Sequence, residues 1–181
     1  AGDLTALNQS RKALTEKGKE EAIRIIETTE LKNDRVLVVY LPDCHESLAG
    51  IIAGRIREKY HRPAFVLTGG ETSAKGSGRS IESYSMYEEL VKCADLMIQF
   101  GGHPMAAGLS IEEKNIEEFR RRLNVNCTLT DEELRPKIVI DVPMPVSYIT
   151  KELVEQISLL EPFGKGNTKP VFAQKNLRVL D

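Results

Sequence analysis

Apolar residues follow two different periods in the first part of the chain, and each period predicts a different element. Between residues 4 and 30 they recur at three- and four-residue spacing among Lys and Glu, which predicts a helix. Gly18 interrupts this pattern, and we expect a bend or break there because glycine is a poor helix former. Residues 36–41 form a continuous Val-rich run, which is typical of a strand buried on both faces.

A second helix and a second strand follow. Apolar positions between residues 48 and 60 have helical spacing, Arg62-Pro63 ends the helix, and residues 64–68 form another strand-like run. A strand, a helix and a strand in this order imply a right-handed parallel crossover. The sequence therefore predicts an α/β fold class.

The pattern of the remaining chain predicts further elements on both sides of a boundary at Pro136. Before it we expect a glycine-rich strand or loop at 74–81, a helix at 84–100, a strand at 105–111 and a helix at 112–123. Beyond it we expect a strand at 138–142, a helix at 150–160 and one or two strands at 171–180. The part beyond Pro136 has too few strands to close a sheet alone, so we interpret it as the start of a β-rich domain.

Composition narrows the possible partners. A net charge of −2 gives no overall basic signature, so a nucleic-acid partner would need a local patch. The three cysteines lack a C-x-x-C spacing, which argues against a disulfide framework or a zinc site and fits a reducing cytoplasm. No apolar run approaches the ~18 residues of a membrane span. We therefore expect a cytoplasmic protein without a membrane partner.

The first candidate site is the glycine-rich stretch 101–108. Gly101 and Gly102 can bring bare backbone N–H groups close to a ligand, and His103 adds an imidazole. The small residues that follow let a ligand pass very near the backbone. An anion, above all a phosphate, suits this combination. The alternative is a helix C-cap followed by a tight entry into a strand.

The second candidate lies between Lys75 and Ser80. Ser77 and Arg79 are two residues apart, so on an extended segment they share a face and could hold one phosphate together. Gly78 permits close approach, and Ser80 offers a second hydroxyl. The alternative is a solvated connection between a strand and a helix.

The third candidate is His45, which follows a strand and precedes a helix. Ligands of open α/β sheets gather at this position, and the helix dipole favours an anion. The alternative is that His45 only caps the helix. The aspartates of the chain are scattered, without an Asp-His-His grouping, so we expect no metal site within this sequence.

Motifs in the same order resemble the RecJ-type single-stranded-DNA-specific exonucleases of the DHH phosphoesterase superfamily. The matching stretches are His45–Arg55, Arg62-Pro63, Gly76–Ser80, Gly101–Gly108 and Leu160–Asn167 with Pro170–Phe172. The resemblance implies a DHH-associated domain with a mixed, partly parallel sheet flanked by helices. It assigns residues 1–33 to the end of the DHH domain and a connecting helix, 34–135 to the DHH-associated domain, and 136–181 to the start of an OB fold.

The resemblance also implies a function and a site. Ser77 and Arg79 match the pocket for the 5′-phosphate of single-stranded DNA, and His103 matches a catalytic histidine that contacts the scissile phosphate. The family's Mn²⁺ or Mg²⁺ ligands lie on the DHH domain, which these residues lack. The expected role is thus the substrate-binding part of a 5′–3′ exonuclease of DNA repair and recombination, inactive without its DHH domain in cis. Cys44 stands where the family often has Trp.

Three other functions stay open. A DHH phosphoesterase could act on oligoribonucleotides or cyclic dinucleotides, although the OB-like tail argues for longer strands. A related DHH-associated module occurs in tRNA synthetases and editing proteins. A purely structural interaction domain would bind no nucleic acid.

Overall fold

The computed structural model describes residues 2–178, with side chains from residue 5 onward, as two compact units that divide after Pro136. The first unit contains four helices, α1 (Gly2–Thr28), α2 (Glu46–Tyr60), α3 (Met86–Val91) and α4 (Ile116–Val125). It also contains five strands, β1 (Leu37–Leu41), β2 (Ala64–Thr68), β3 (Ala74–Arg79), β4 (Met97–His103) and β5 (Ala106–Ile111).

The five strands form one sheet in the order β1-β2-β3-β5-β4. The pair β1 and β2 is parallel and joined through α2, so the predicted crossover is confirmed. The other neighbours are antiparallel, and a register shift between Met97 and Gln99 marks a bulge in β4. The sheet is therefore mixed and flanked by helices, which confirms the α/β fold class.

Helices α1 and α2 cover one face of β1 and β2. Their buried contact consists of aliphatic side chains that include Ile26, Ile52 and Ile56. Helix α1 runs without a break through Gly18, so the expected bend there is wrong. A β-carbon at Gly18 would lie 2.6 Å from Cδ1 of Ile52, and glycine is needed for the close approach of the two helices.

The opposite face of the sheet packs against α3 and α4. Phe65 of β2 meets Phe119 of α4 edge to face, with ring centroids 5.3 Å apart. Asn124 of α4 clamps the start of β1, since its amide oxygen accepts from the backbone N–H of Arg35 and Val36 at 2.9 and 3.0 Å. This face holds the larger apolar core of the unit.

The helix predicted at 84–100 is wrong in its second half. Ser85 caps the short α3, which ends at Val91, and β4 begins at Met97. The apolar run 96–100 is too short for its periodicity to distinguish helix from strand. Pairing with β5 decides for strand, so Gly101, Gly102 and His103 end a strand rather than cap a helix.

The second unit has short elements: β6 (Val142–Pro143), α5 (Lys151–Ser158) and β7 (Phe172–Ala173). Thr150 caps α5 by accepting from the N–H of Leu153, as its sequence position predicts. The strand predicted at 138–142 shrinks to β6, which pairs in parallel with β7. The end of the strand region predicted at 171–180 lies outside the described residues. Within residues 2–178, none of the helices combines the length and apolar character that crossing a bilayer requires.

Candidate nucleic-acid interface

Residues of three strands lie side by side on the face of the sheet that α1 and α2 cover only in part. Arg79 of β3 pairs with Ala106 of β5, which pairs in turn with His103 of β4. Directly paired residues project to the same face, and neighbouring strands lie about 4.8 Å apart. Arg79 and His103 therefore flank one row that is roughly 10 Å wide along the backbone.

The next row is built of small residues. Ser77, Gly108 and Gly101 are paired across the same three strands, and both glycines are exposed. A β-carbon at Gly101 would meet no atom within 4 Å, and one at Gly108 would meet only the carbonyl oxygen of Gly76, at 3.8 Å. Packing among the described residues thus does not require glycine at either position. We call these two rows, of six residues in all, the open face.

Gly102 is a glycine for a different reason. Its φ of +152° is one that side chains with a β-carbon rarely adopt, and a β-carbon there would lie 2.5 Å from the carbonyl oxygen of Ala106. Gly102 therefore shapes the hairpin that presents His103, whose imidazole is exposed.

The side chains of Ser77 and Arg79 form a pair, as their spacing in the strand predicts. Nη1 of Arg79 donates to Oγ of Ser77 at 3.1 Å and to the carbonyl oxygen of Gly78 at 2.7 Å. These are the hydrogen bonds that the guanidinium makes with the residues described, and they leave Nε and Nη2 available. A partly buried guanidinium that is held on one side can offer two parallel donors to a phosphate on the other.

Lys75 extends the positive charge along the same face of β3. Its ammonium group pairs with the carboxylate of Glu46 at 2.6 Å, at the start of α2. The hydrogen bond from Lys75 also lowers the pKa of Glu46. Both side chains are about half exposed, so a phosphate can compete with Glu46 for this lysine.

His45 caps α2, so the capping alternative describes its main contact. Its Nδ1 accepts from the N–H of Ser47 at 3.2 Å and lies 2.8 Å from that residue's hydroxyl. A ring that accepts at Nδ1 carries its proton at Nε2 when neutral, which leaves a donor that the cap does not use. His45 lies next to Glu46, at the Lys75 end of the face.

Two predicted site residues serve the opposite side of β3. The hydroxyl of Ser80 is buried and donates to the carbonyl oxygen of Tyr84 at 2.5 Å. A β-carbon at Gly78 would lie 2.4 Å from Sδ of Met86, so Gly78 is small because the core is close. Ser80 therefore holds the chain after β3, and Gly78 contributes only its carbonyl oxygen to the site.

Sequence reasoning did not single out Gly50 as a site residue, whereas Lys75 and Gly108 lie within the two stretches that it proposed. Gly50 lies over the Ser77–Arg79 pair. The sequence feature that could have identified it is its place inside a predicted helix, where glycine is unfavourable. Gly108 was expected only as one of the small residues after His103, because its pairing with Gly101 depends on the register of β4. Lys75 was visible in the same motif as Ser77 and Arg79.

The His, Cys, Asp and Glu side chains of the described residues are the groups that could bind a metal ion. Among residues 2–178, no group of three His, Cys, Asp or Glu side chains is placed to hold an ion. Burial raises the pKa of the Cys44, Cys93 and Cys127 thiols, which disfavours the thiolate form that binds metals. The described side chains therefore do not fit a Mg²⁺ or Mn²⁺ centre.

Comparison with known proteins gives two family matches. The profile of the DHHA1 domain matches residues 33–128, which is more than half of the chain. The profile of the RecJ OB domain matches residues 140–181.

Relatives and solved structures agree with these matches. The single-stranded-DNA-specific exonuclease RecJ of Bacillus subtilis is 36% identical over 174 residues, and that of Escherichia coli is 35% identical over 182. The alignments cover 94% and 95% of this chain but only 22% and 32% of those relatives. The crystal structure of RecJ with Mg²⁺ from Thermus thermophilus superposes with a TM-score of 0.81 at 29% identity, over 94% of this chain and 26% of that one.

Proposed function

Because the chain belongs to the DHHA1 domain family, we propose that its open face binds single-stranded DNA as part of a RecJ-type exonuclease. The resemblance to RecJ-type exonucleases that the sequence motifs indicated is confirmed by the match to the RecJ OB domain and by the RecJ relatives. The chain spans only about a fifth to a third of those relatives, so the activity of the whole enzyme is part of the proposal.

The observation that carries the proposal is the Arg79 guanidinium. Ser77 and Gly78 hold its Nη1, and its other two nitrogens remain for a ligand. A terminal 5′-phosphate has three oxygens and carries more charge than a phosphodiester, so it suits two parallel guanidinium donors and a neighbouring hydroxyl. We assign this pair to the 5′ end of the strand.

His103 lies at the far end of the same row. In this proposal the first nucleoside rests on the small residues between Arg79 and His103, and the next phosphodiester reaches the imidazole. An imidazole N–H there could donate to a non-bridging oxygen and stabilise charge as it develops during hydrolysis. His45, at the Lys75 end, would contact the strand only through its Nε2.

Mg²⁺ and Mn²⁺ are named with solved structures of RecJ from Thermus thermophilus. The residues described here do not fit a metal, so the proposal gives this chain the binding of the strand and assigns it no metal-dependent step. In the parent enzyme a DHH domain in cis would supply that chemistry, in DNA repair and recombination in the cytoplasm.

The test compares 5′-phosphorylated and unphosphorylated single-stranded oligonucleotides of about ten nucleotides by fluorescence anisotropy. We expect Arg79→Ala to weaken binding of the phosphorylated strand roughly tenfold or more, because hydrogen bonds to charged groups contribute about 1.5–3 kcal/mol. Arg121→Ala is the matched control, since it removes one arginine from α4 on the opposite face. Equal preference for the phosphate in wild type and Arg79→Ala would contradict the assignment.

A second measurement addresses substrate class and activity. The same chain, supplied with Mn²⁺, should bind the ten-nucleotide strand more tightly than a dinucleotide and digest neither. Digestion would show that this chain carries its own hydrolytic centre. Tighter binding of the dinucleotide would favour the oligoribonucleotide or cyclic-dinucleotide alternative.

A further inference from the structure

We propose that Gly50 of α2 is a positioning residue that fixes the Arg79 guanidinium in its phosphate-binding orientation. This inference rests on the proposed function, since it concerns the same phosphate site. It adds a residue that touches no substrate and acts only through Arg79.

The geometry around Gly50 carries the proposal. Helix α2 crosses β3 so that Gly50 lies over the Ser77–Arg79 pair. A β-carbon at Gly50 would lie 2.7 Å from Nη2 of Arg79, 3.0 Å from Oγ of Ser77 and 3.4 Å from Cζ of Arg79. The first of these distances is shorter than any normal contact, so the observed guanidinium position requires that residue 50 have no side chain.

The atoms in conflict distinguish Gly50 from the other tightly packed glycines. At Gly18 a β-carbon would strike the buried Ile52, and at Gly69 it would strike the backbone of Pro42. At Gly50 it would strike the far end of a long, partly buried side chain that can turn away. Alanine at position 50 should therefore move the guanidinium and leave the fold in place.

Glycine at position 50 is also unfavourable for helix α2 itself. Glycine is the least favourable helix residue after proline, because it loses the most backbone freedom on folding. Alanine at position 50 should stabilise α2. At Gly50, unlike at Gly54, this cost coincides with a position directly over an arginine whose Nε and Nη2 make no hydrogen bond with the described residues.

The displacement would act on the donors that the phosphate needs. Nη2 is one of the two nitrogens that the Ser77 and Gly78 contacts leave free. Turning the guanidinium away from a β-carbon at position 50 moves Nη2 and breaks the alignment of Nη1 with Oγ of Ser77. The positive charge stays on the face, so nonspecific attraction to DNA should persist while recognition of the terminal phosphate is lost.

Gly54 provides a matched control four residues later in the same helix. A β-carbon there would meet no atom within 4 Å. Gly54→Ala therefore gives the same gain in helix propensity as Gly50→Ala, without a conflict.

The experiment compares Gly50→Ala, Gly54→Ala, Arg79→Ala and the double variant Gly50→Ala/Arg79→Ala in the 181-residue chain. Urea unfolding reports the fold, and anisotropy with 5′-phosphorylated and unphosphorylated ten-nucleotide strands reports phosphate preference. Both glycine variants should unfold at urea concentrations equal to or above wild type. Gly50→Ala should lose at least fivefold of the preference for the phosphorylated strand, Gly54→Ala should lose none, and the double variant should match Arg79→Ala.

The two failures are distinguishable. If Arg79→Ala loses the preference but Gly50→Ala behaves like Gly54→Ala, the positioning role is wrong and the phosphate site stands. If Arg79→Ala keeps the preference, the phosphate site is wrong and the positioning role fails with it. A Gly50→Ala chain that unfolds well before the Gly54→Ala chain would also overturn the proposal, since the conflict would then involve the fold.

Discussion

One face of the central sheet is used in two different ways. Over β1 and β2 it is covered by α1 and α2 and consists of aliphatic side chains such as Leu37, Val39 and Val66. Over β3, β5 and β4, α2 is the described helix of the first unit that reaches the same face: it packs over β3, with Gly50 above Ser77 and Arg79, and has no comparable contact with β5 and β4. There it consists of glycine, alanine, serine, an arginine and a histidine.

The difference separates residues that stabilise the fold from residues that the proposed function assigns to binding. The strands of the open half keep their apolar side chains on the other face, where Ala107, Leu109 and Ile111 are buried. Alternation along a strand allows this division, because successive side chains point to opposite faces. On this face, the side chains of β3, β5 and β4 therefore contribute little to the stability of the fold. Their small and polar residues leave room for a ligand.

The largest change in stability is expected from the loss of a buried side chain beneath the covered face. Ile52→Ala should lower the free energy of unfolding by about 2–5 kcal/mol, because the side chain is fully buried against α1 and the sheet. Ile51→Ala, at a neighbouring position that is 38% exposed, is the control and should cost much less. Urea unfolding measures both. A similar loss in the two variants would mean that the α1–α2 layer does not depend on the covered face.

A smaller effect, on DNA affinity rather than on stability, is expected from a substitution on the open face. Gly101→Val places a branched side chain in open space, so stability should stay the same or rise, within the ~1 kcal/mol span of strand propensities. Affinity for single-stranded DNA should fall by about 1–3 kcal/mol if a nucleoside rests there, the usual cost of overfilling a contact. Unfolding and anisotropy on the same samples separate the two.

Gly102→Ala serves as the contrast to Gly101→Val. It should destabilise the β4–β5 hairpin, because the φ of +152° and the Ala106 carbonyl oxygen exclude a β-carbon. If Gly101→Val lost stability and Gly102→Ala did not, the assignment of one glycine to binding and the other to folding would be reversed.

The smallest effect concerns arginines that are already paired. Hydrogen bonds from Arg121 and then Arg122 lower the pKa of Glu118 from 4.5 to about 2. Since the folded-state pKa lies below the unfolded one, Glu118 stabilises the fold above pH ~4.5, and this contribution is lost as the pH falls toward 2. The group is exposed, so the change should be slight.

Glu118→Gln tests that contribution. It should flatten the decline in urea midpoint between about pH 5 and pH 3 and leave DNA affinity at neutral pH unchanged. A change in DNA affinity would mean that the arginines of α4 that pair with carboxylates contact the strand, in addition to Arg79.

Local pattern was sufficient for some parts of the structure. The two strand-like apolar runs on either side of a helical pattern predicted the β1-α2-β2 crossover, and two-residue spacing placed Ser77 and Arg79 together. Both depend on residues close in sequence. The domain boundaries and the roles of the site residues stay predictions.

Other parts depended on contacts that the sequence does not show. The run at 96–100 fits helix or strand, and β5 decides between them. The same pairing places Gly101 opposite Gly108 and puts His103 and Arg79 in one row across the sheet. It could not be predicted from the sequence, because β4 was expected to be part of a helix. Ser80 follows the phosphate motif directly in the sequence, but the sequence does not show that its hydroxyl is buried and donates to the carbonyl oxygen of Tyr84.

The bulge at Met97 and Gln99 has a consequence for how the molecule behaves among copies of itself. Strand β4 is the last strand of the sheet, and a regular outermost strand is a template on which another chain can add by backbone hydrogen bonding. An irregular register and two glycines make β4 a poor template. The same features that would present the His103 imidazole to DNA in the proposed function therefore also disfavour the addition of another chain at this edge.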